Sequence, residues 1–181
     1  MGLVYLRSQN NRHLEEVLNY CLSINEDAMI EHDRCVFDVN GPQRIQLKLT
    51  LETFQADLQD LLICVEGFKQ DDIMNCAMDL AQLYAIGRYI HISELLLDSV
   101  LNNNDVLLKK LNVFFQDFNS ELIETARMYL WADGNALLAA QSLYLHRNTF
   151  NYRMNKFIQK SNLRLSEQAQ AYFFQLWLNL Q

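Results

Sequence analysis

The chain has 181 residues, half of them hydrophobic and a fifth charged, with a formal net charge of −7. This composition supplies a sizeable core, argues against disorder, and suits one large domain or two small ones. Five glycines and one proline disfavour an all-β architecture and fit long helices.

In chain order, residues 3–6 have the composition of a short strand. Leu14, Val17, Leu18, Cys21 and Leu22 fall at helical spacing. The run Cys35–Val39 is a strand candidate, and Asn40-Gly41-Pro42 is a turn signal. Ile45, Leu47, Leu49 and Leu51 then alternate with polar residues, which predicts a second strand and a β-hairpin around that turn. Helical spacing resumes through Phe54, Leu58, Leu61 and Leu62, with Thr50 or Thr53 as cap. Ile63–Phe68 is a further strand. Asp71 and Asp72 open a helix, as acidic residues near a helix N-terminus should, and Gly87 marks its stop. Tyr89–Ile92 is a short strand, Ser93 a cap for a helix over 94–101, and 105–118 a connecting helix. The pattern shifts near Asn119-Ser120. Helices are predicted over 121–131, over 136–143 after an N-cap at Asn135, from Arg147 to about Lys160, and over 166–180.

The charge also divides there. Residues 1–120 hold 9 basic and 18 acidic side chains, whereas residues 121–181 hold 6 and 4. No acid lies between Asp133 and Glu167, a gap that contains Arg147, Arg153, Lys156, Lys160 and Arg164. Screening limits exposed charges to a range of about 8 Å at physiological salt, so a local basic face outweighs the unfavourable total.

The helix from Arg147 places Phe150, Met154, Phe157 and Ile158 on one face and polar groups on the other. With the helix and turn before it, this is the pattern of a helix-turn-helix. His146, Arg147, Asn148, Thr149, Asn151, Tyr152, Asn155, Lys156 and Lys160 are its candidate DNA-contacting residues. Arg147 suits guanine O6 and N7 or a phosphate, and Asn148 and Asn151 suit adenine N6 and N7. His146, at the N-cap position, and Thr149 suit a phosphate at the helix start. Lys156 and Lys160 suit the DNA backbone. Two roles stay open for Tyr152 and Arg153: contact with DNA, or packing within the domain, with Glu124 as a partner for Arg153.

Leu145-His146-Arg147-Asn148-Thr149-Phe150-Asn151-Tyr152-Arg153-Met154 resembles the helix-turn-helix signature of PucR/CdaR-type bacterial regulators, Leu-x-Val-His-Arg-Asn-Thr-Leu-x-Tyr-Arg-Leu. Glu121-Leu122-Ile123-Glu124-Thr125 is similar to that family's Glu-Leu-Leu-x-Thr opening, and Asp133-Gly134-Asn135 to its Gly-Gly-Asn turn. Phe150 and Met154 replace smaller aliphatics, and Ser161-Asn162 stands where the family often has Gly. The N-terminal element order resembles the GGDEF-like domain of the same regulators. In active cyclases of that fold the hairpin turn carries Gly-Gly-Asp/Glu-Glu-Phe; the turn at Val39–Gln43 offers no carboxylate pair.

The resemblance implies an α+β chain. Residues 1–119 would form a GGDEF-like α/β sandwich without the catalytic motif, and residues 120–181 an all-α helix-turn-helix domain. It implies a transcription regulator that binds double-stranded DNA as a homodimer under an unspecified small-molecule or protein effector, with no enzymatic activity and no cofactor. The alternative is a protein-interaction module in which the helix-turn-helix is only structural. His32 and Cys35 are too few for a metal site. Cys21, Cys35, Cys64 and Cys76 show no CxxC spacing and are expected to be reduced thiols. With no membrane-length apolar run and no signal-peptide pattern, the expected compartment is the cytoplasm, with no membrane partner.

Overall fold

The computed structural model, which describes residues 2–10 and 12–181, divides into one unit ending at Leu107 and a second beginning at Leu108. The first contains β1 (Gly2–Ser8), α1 (Leu14–Ile24), β2 (Met29–Glu31), β3 (Arg34–Val39), α2 (Gly41–Leu58), β4 (Leu62–Gly67), α3 (Asp71–Tyr84), β5 (Tyr89–His91) and α4 (Ile92–Leu101). The strands form one sheet in the order β2-β3-β1-β4-β5. β1 pairs antiparallel with both β3 and β4, and β4 pairs parallel with β5.

Register assigns the two faces. Leu6 lies opposite Cys35 and Cys64, and Val4 opposite Phe37 and Glu66. These side chains share one face, which α1 and α2 cover through Val17, Cys21, Ile24, Leu47 and Leu51. On the other face, Arg7 and Arg34 meet α3 at Asp79 and Asn75. A sheet covered on both sides explains why β1 and β4 are apolar at nearly every position rather than alternating. The mixed α+β architecture expected from the sequence is therefore present, and all four cysteines are buried free thiols.

One segment departs from the sequence expectation. Residues 45–51 are not a strand, and no hairpin turns at Asn40-Gly41-Pro42; that turn is the start of α2. Asn40 accepts a hydrogen bond from the Gln43 amide at 3.0 Å, and the Gln43 side chain accepts one from the Asn40 amide at 3.0 Å. This reciprocal capping box, with Pro42 in the first turn, satisfies amide donors that a helix start would otherwise leave free. The alternation was misleading because only Leu47, Leu51 and Gln55 are buried, an i, i+4, i+8 stripe. Ile45 and Leu49 are 61% and 75% exposed. Thr50 lies inside the helix and donates to the Gln46 carbonyl at 2.9 Å, so neither Thr50 nor Thr53 is a cap. The hairpin present is β2–β3, which pairs Glu31 with Arg34 across His32-Asp33, with His32 at φ 60°. The Gly-Gly-Asp/Glu-Glu-Phe comparison made at Val39–Gln43 therefore falls on a helix N-terminus and does not apply there. The cap of α4 also moves, from Ser93 to His91, whose Nδ1 accepts from the Ser93 amide at 3.2 Å.

The apolar face under α2 contains one buried charge. Glu66 is 2% exposed and accepts from Arg44 Nε at 2.8 Å and from the Tyr89 hydroxyl. A Cβ at position 2 would collide with the Glu66 carboxylate as it is placed here, so any larger residue there would have to displace that side chain from Arg44 and Tyr89. Lys48 stands over the Tyr89 ring at 4.7 Å. Burial pushes the nearby His91 imidazole down to about 4; Glu66 opposes the shift, and Arg44 and Lys48 reinforce it.

Two outcomes follow. Removing Arg44 alone strands the Glu66 carboxylate in the interior, so Arg44→Met should destabilise the first unit by on the order of 3 kcal/mol. Adding Glu66→Leu should recover part of that loss in urea denaturation. His91 has a folded-state pKa below its unfolded value of about 6.5. Its contribution is thus complete above about pH 6.5 and is lost as pH falls toward about 4, because the unfolded chain takes up the proton first. Stability measured across that window should fall less in His91→Asn, which keeps a capping side chain, than in the wild type.

Candidate nucleic-acid interface

The second unit contains most of α5 (Val106–Gln116), then α6 (Ser120–Trp131), α7 (Ala136–Ser142), α8 (Arg147–Ser161) and α9 (Gln168–Asn179). Its core is aromatic. Phe115, Phe118, Phe157, Phe174 and Trp177 meet with ring centroids between 4.1 and 5.9 Å apart. The Trp177 indole donates to Asn112 Oδ1 at 2.9 Å, which satisfies its polar atom.

Three elements fix the geometry of the site. Asn135 begins α7 by accepting from the Leu137 and Leu138 amides, both at 3.1 Å. The buried faces of α7 are Ala139 and Ala140, whose small side chains let neighbouring helices approach closely. After the short turn at 143–145, His146 caps α8, its Nδ1 accepting from the Asn148 amide at 3.2 Å. An imidazole thus fills the role that Ser, Thr or Asn more commonly takes.

Phe150, Met154, Phe157 and Ser161 form the buried stripe of α8. Phe150 and Phe157 are 1% and 0% exposed. Ser161 is tolerated there because its hydroxyl donates to the Phe157 carbonyl at 2.7 Å and accepts from the Leu163 amide at 3.1 Å. Ile158, placed on the apolar face by its spacing, is only half-buried.

The stripe forces the polar side chains outward. His146, Arg147, Asn148, Thr149, Asn151, Tyr152, Asn155, Lys156 and Lys160 are all exposed. At 100° per residue, Asn148, Tyr152 and Asn155 lie nearest the direction opposite the buried stripe. Arg147 and Asn151 flank them on one side, and Thr149 and Lys156 on the other. Gln159, also exposed, lies on the same outer line, one turn beyond Asn155. Gln159 is not among the candidates named from the sequence, although the i+4 step from Asn155 points to it.

The long basic side chains of Arg153, Lys156 and Lys160 have partners within the unit. Arg153 Nη2 pairs with Glu121 Oε1 at 2.9 Å, and its side chain is 20% exposed. Its role is therefore to bridge α8 to the first turn of α6, and its partner is Glu121 rather than Glu124. Lys156 stacks its ammonium 4.7 Å above the Tyr152 ring. Lys160 donates to the Asp117 carbonyl and lies 4.6 Å over the Phe118 ring.

An alanine-faced helix, a short turn and a second helix held by an apolar stripe, with its polar face free, define the second unit as a helix-turn-helix. Residues 122–181, a third of the chain, match the PucR C-terminal helix-turn-helix domain. It is 30% identical over 95 residues to the leucine-rich protein of Streptococcus dysgalactiae subsp. equisimilis, an alignment covering 51% of this chain and 33% of that protein. It is 32% identical over 73 residues to the DNA-binding transcriptional activator AdeR of Bacillus subtilis (strain 168), covering 40% of this chain and 17% of that protein. The chain thus spans a third or less of the length of these relatives. The crystal structure of the regulator of polyketide synthase expression from Bifidobacterium adolescentis covers 98% of this chain and 78% of its own at 13% identity, with a TM-score of 0.46. No helix among the described residues is long and apolar enough to cross a membrane.

Because Phe150 anchors α8, Phe150→Ala should destabilise the second unit by about 3–5 kcal/mol. Thermal unfolding followed by circular dichroism checks this. An exposed change such as Asn155→Ala should shift the midpoint by no more than a few degrees.

Proposed function

We propose that the chain is a transcription regulator that binds double-stranded DNA sequence-specifically through residues 120–181, with α8 entering the major groove. The single observation that carries this reading is the division of α8, which is buried along Phe150, Met154 and Phe157 and exposed along an outer face with no acidic side chain. A helix in a helix-turn-helix presents its N-terminal residues to base edges. Arg147 pairs with guanine O6 and N7, and Asn148 and Asn151 with adenine N6 and N7. His146 and Thr149 donate to phosphates near the helix N-terminus. Tyr152 and Asn155 complete the outer face, with Lys156 and Lys160 toward the DNA backbone.

In this reading residues 1–119 are a GGDEF-like domain that dimerises or transmits a signal and has no catalytic role. A homodimer would then engage paired half-sites about 34–36 Å apart, one helical turn of DNA. The acidic excess of the first 120 residues suits this division of labour, since a negatively charged domain adds no non-specific DNA affinity of its own.

Selection of bound duplexes from a random pool, followed by titration of the full chain, tests the proposal. Arg147→Ala should weaken binding to the selected duplex by roughly 10- to 100-fold, relax the preference at one base pair and leave folding intact. Failure of the wild-type chain to bind any duplex at low salt would leave the interaction-module reading in its place.

A further inference from the structure

The turn before α8 contains a side chain that the fold does not use. Tyr144 is 97% exposed, between the half-buried Leu143 and Leu145. Its backbone is left-handed, with φ 54°. It is the residue after which the chain leaves α7: the Tyr144 amide donates to the Gln141 carbonyl at 3.0 Å and the Leu145 amide to the Ala140 carbonyl at 2.9 Å. This is a Schellman-type helix end, whose left-handed position favours glycine or asparagine because a Cβ is crowded there. Gly134 at φ 79° before α7 and Asn162 at φ 58° after α8 match that preference, whereas Gln59 at φ 54° ends α2 left-handed with a polar side chain. An aromatic side chain at position 144 thus incurs backbone strain without any compensating burial.

We propose that Tyr144 is a DNA-phosphate contact, its hydroxyl donating a hydrogen bond to the backbone of the duplex that α8 reads; this rests on the DNA-binding reading above. Position 144 is two residues before the cap of α8, so its side chain projects from the turn leading into the recognition helix. When the start of such a helix meets base edges, the turn before it lies over the rim of the groove, where phosphates line the duplex. The positive end of the α8 dipole and Arg147 favour an anion at this end, where the His146 cap already occupies the Asn148 amide. Tyrosine is among the side chains that bond phosphate oxygens, and such a bond positions the protein without reading sequence. Glycine or asparagine would suit the turn better but carries no donor that reaches as far.

The test uses the full chain with two duplexes, one selected for binding and one unrelated, titrated at several salt concentrations. Tyr144→Phe should bind both duplexes more weakly by about tenfold or more, the loss of one hydrogen bond to a charged acceptor. Its salt dependence should match the wild type, because a neutral donor displaces no counterion. Its unfolding midpoint should not change. Tyr144→Gly should show at least the same loss of binding with a midpoint equal to or above that of the wild type, since the left-handed strain is relieved. Wild-type affinity in Tyr144→Phe, or a lowered midpoint with normal affinity in Tyr144→Gly, overturns the assignment. If the wild type binds and Arg147→Ala weakens it while Tyr144→Phe does not, this inference alone fails. If the wild type binds neither duplex, the DNA-binding reading fails and takes this inference with it.

Discussion

Three apolar side chains one helical turn apart, Phe150, Met154 and Phe157, govern the second unit. Their burial fixes the rotation of α8 about its own axis. A turn of 100° in the sequence pattern, one residue's worth, would bring a polar residue inward and an aromatic ring out. The exposed face therefore needs no device of its own to orient it. The Arg153–Glu121 pair and the Lys160 contact with the Asp117 carbonyl act at the edges of that arrangement. As partly exposed ionic contacts they add little stability, but each ties α8 to chain outside it.

The first unit depends on a different constraint, a sheet apolar on both faces. β1 is its centre, hydrogen-bonded on either side, and it gains little from sequence alternation because neither face sees water. Against that background Glu66 is an exception. Its carboxylate is held by Arg44 and Tyr89, and Gly2 leaves it room. A buried pair of this kind is weak evidence of added stability. It does penalise any packing of α2 that separates Arg44 from Glu66, and so favours one placement of that helix over its neighbours.

Most elements were legible from spacing because burial sets spacing directly. Val17 and Cys21 on α1 and the stripe Phe150, Met154, Phe157 on α8 are helical patterns with polar opposite faces, although on α1 Leu22 is exposed and Ile24 takes the buried position; the charge gap from Asp133 to Glu167 singles out α8 as the candidate site. The segment Ile45–Leu51 was not legible, because leucines that face solvent fill the gaps in a helical stripe and produce a false period of two. The decisive signal is the Asn40–Gln43 capping box, which begins five residues before Ile45. Strand β2 was missed because Met29 and Ile30 are exposed and supply no alternation. The expected partner of Arg153, Glu124, is replaced by Glu121, one turn earlier on α6, a difference that spacing does not resolve. The exposure and left-handed backbone of Tyr144 are set by the turn geometry and leave no signal in the sequence.

The ambiguity of α2 also exists for the unfolded chain. Arg44-Ile45-Gln46-Leu47-Lys48-Leu49-Thr50-Leu51 has the alternation of an extended, pairing-prone segment, and stretches of this kind seed intermolecular sheets when they are transiently exposed. Two features oppose that route. Arg44 and Lys48 interrupt the run with like charges, as gatekeeper residues do, and the capping box is closed by residues only three apart, so it can form before any long-range contact. The N-terminus of α2 thus serves as an early conformational decision point for the N-terminal unit: once Asn40 and Gln43 engage, the leucines that would have lined an aggregating strand are distributed around a helix.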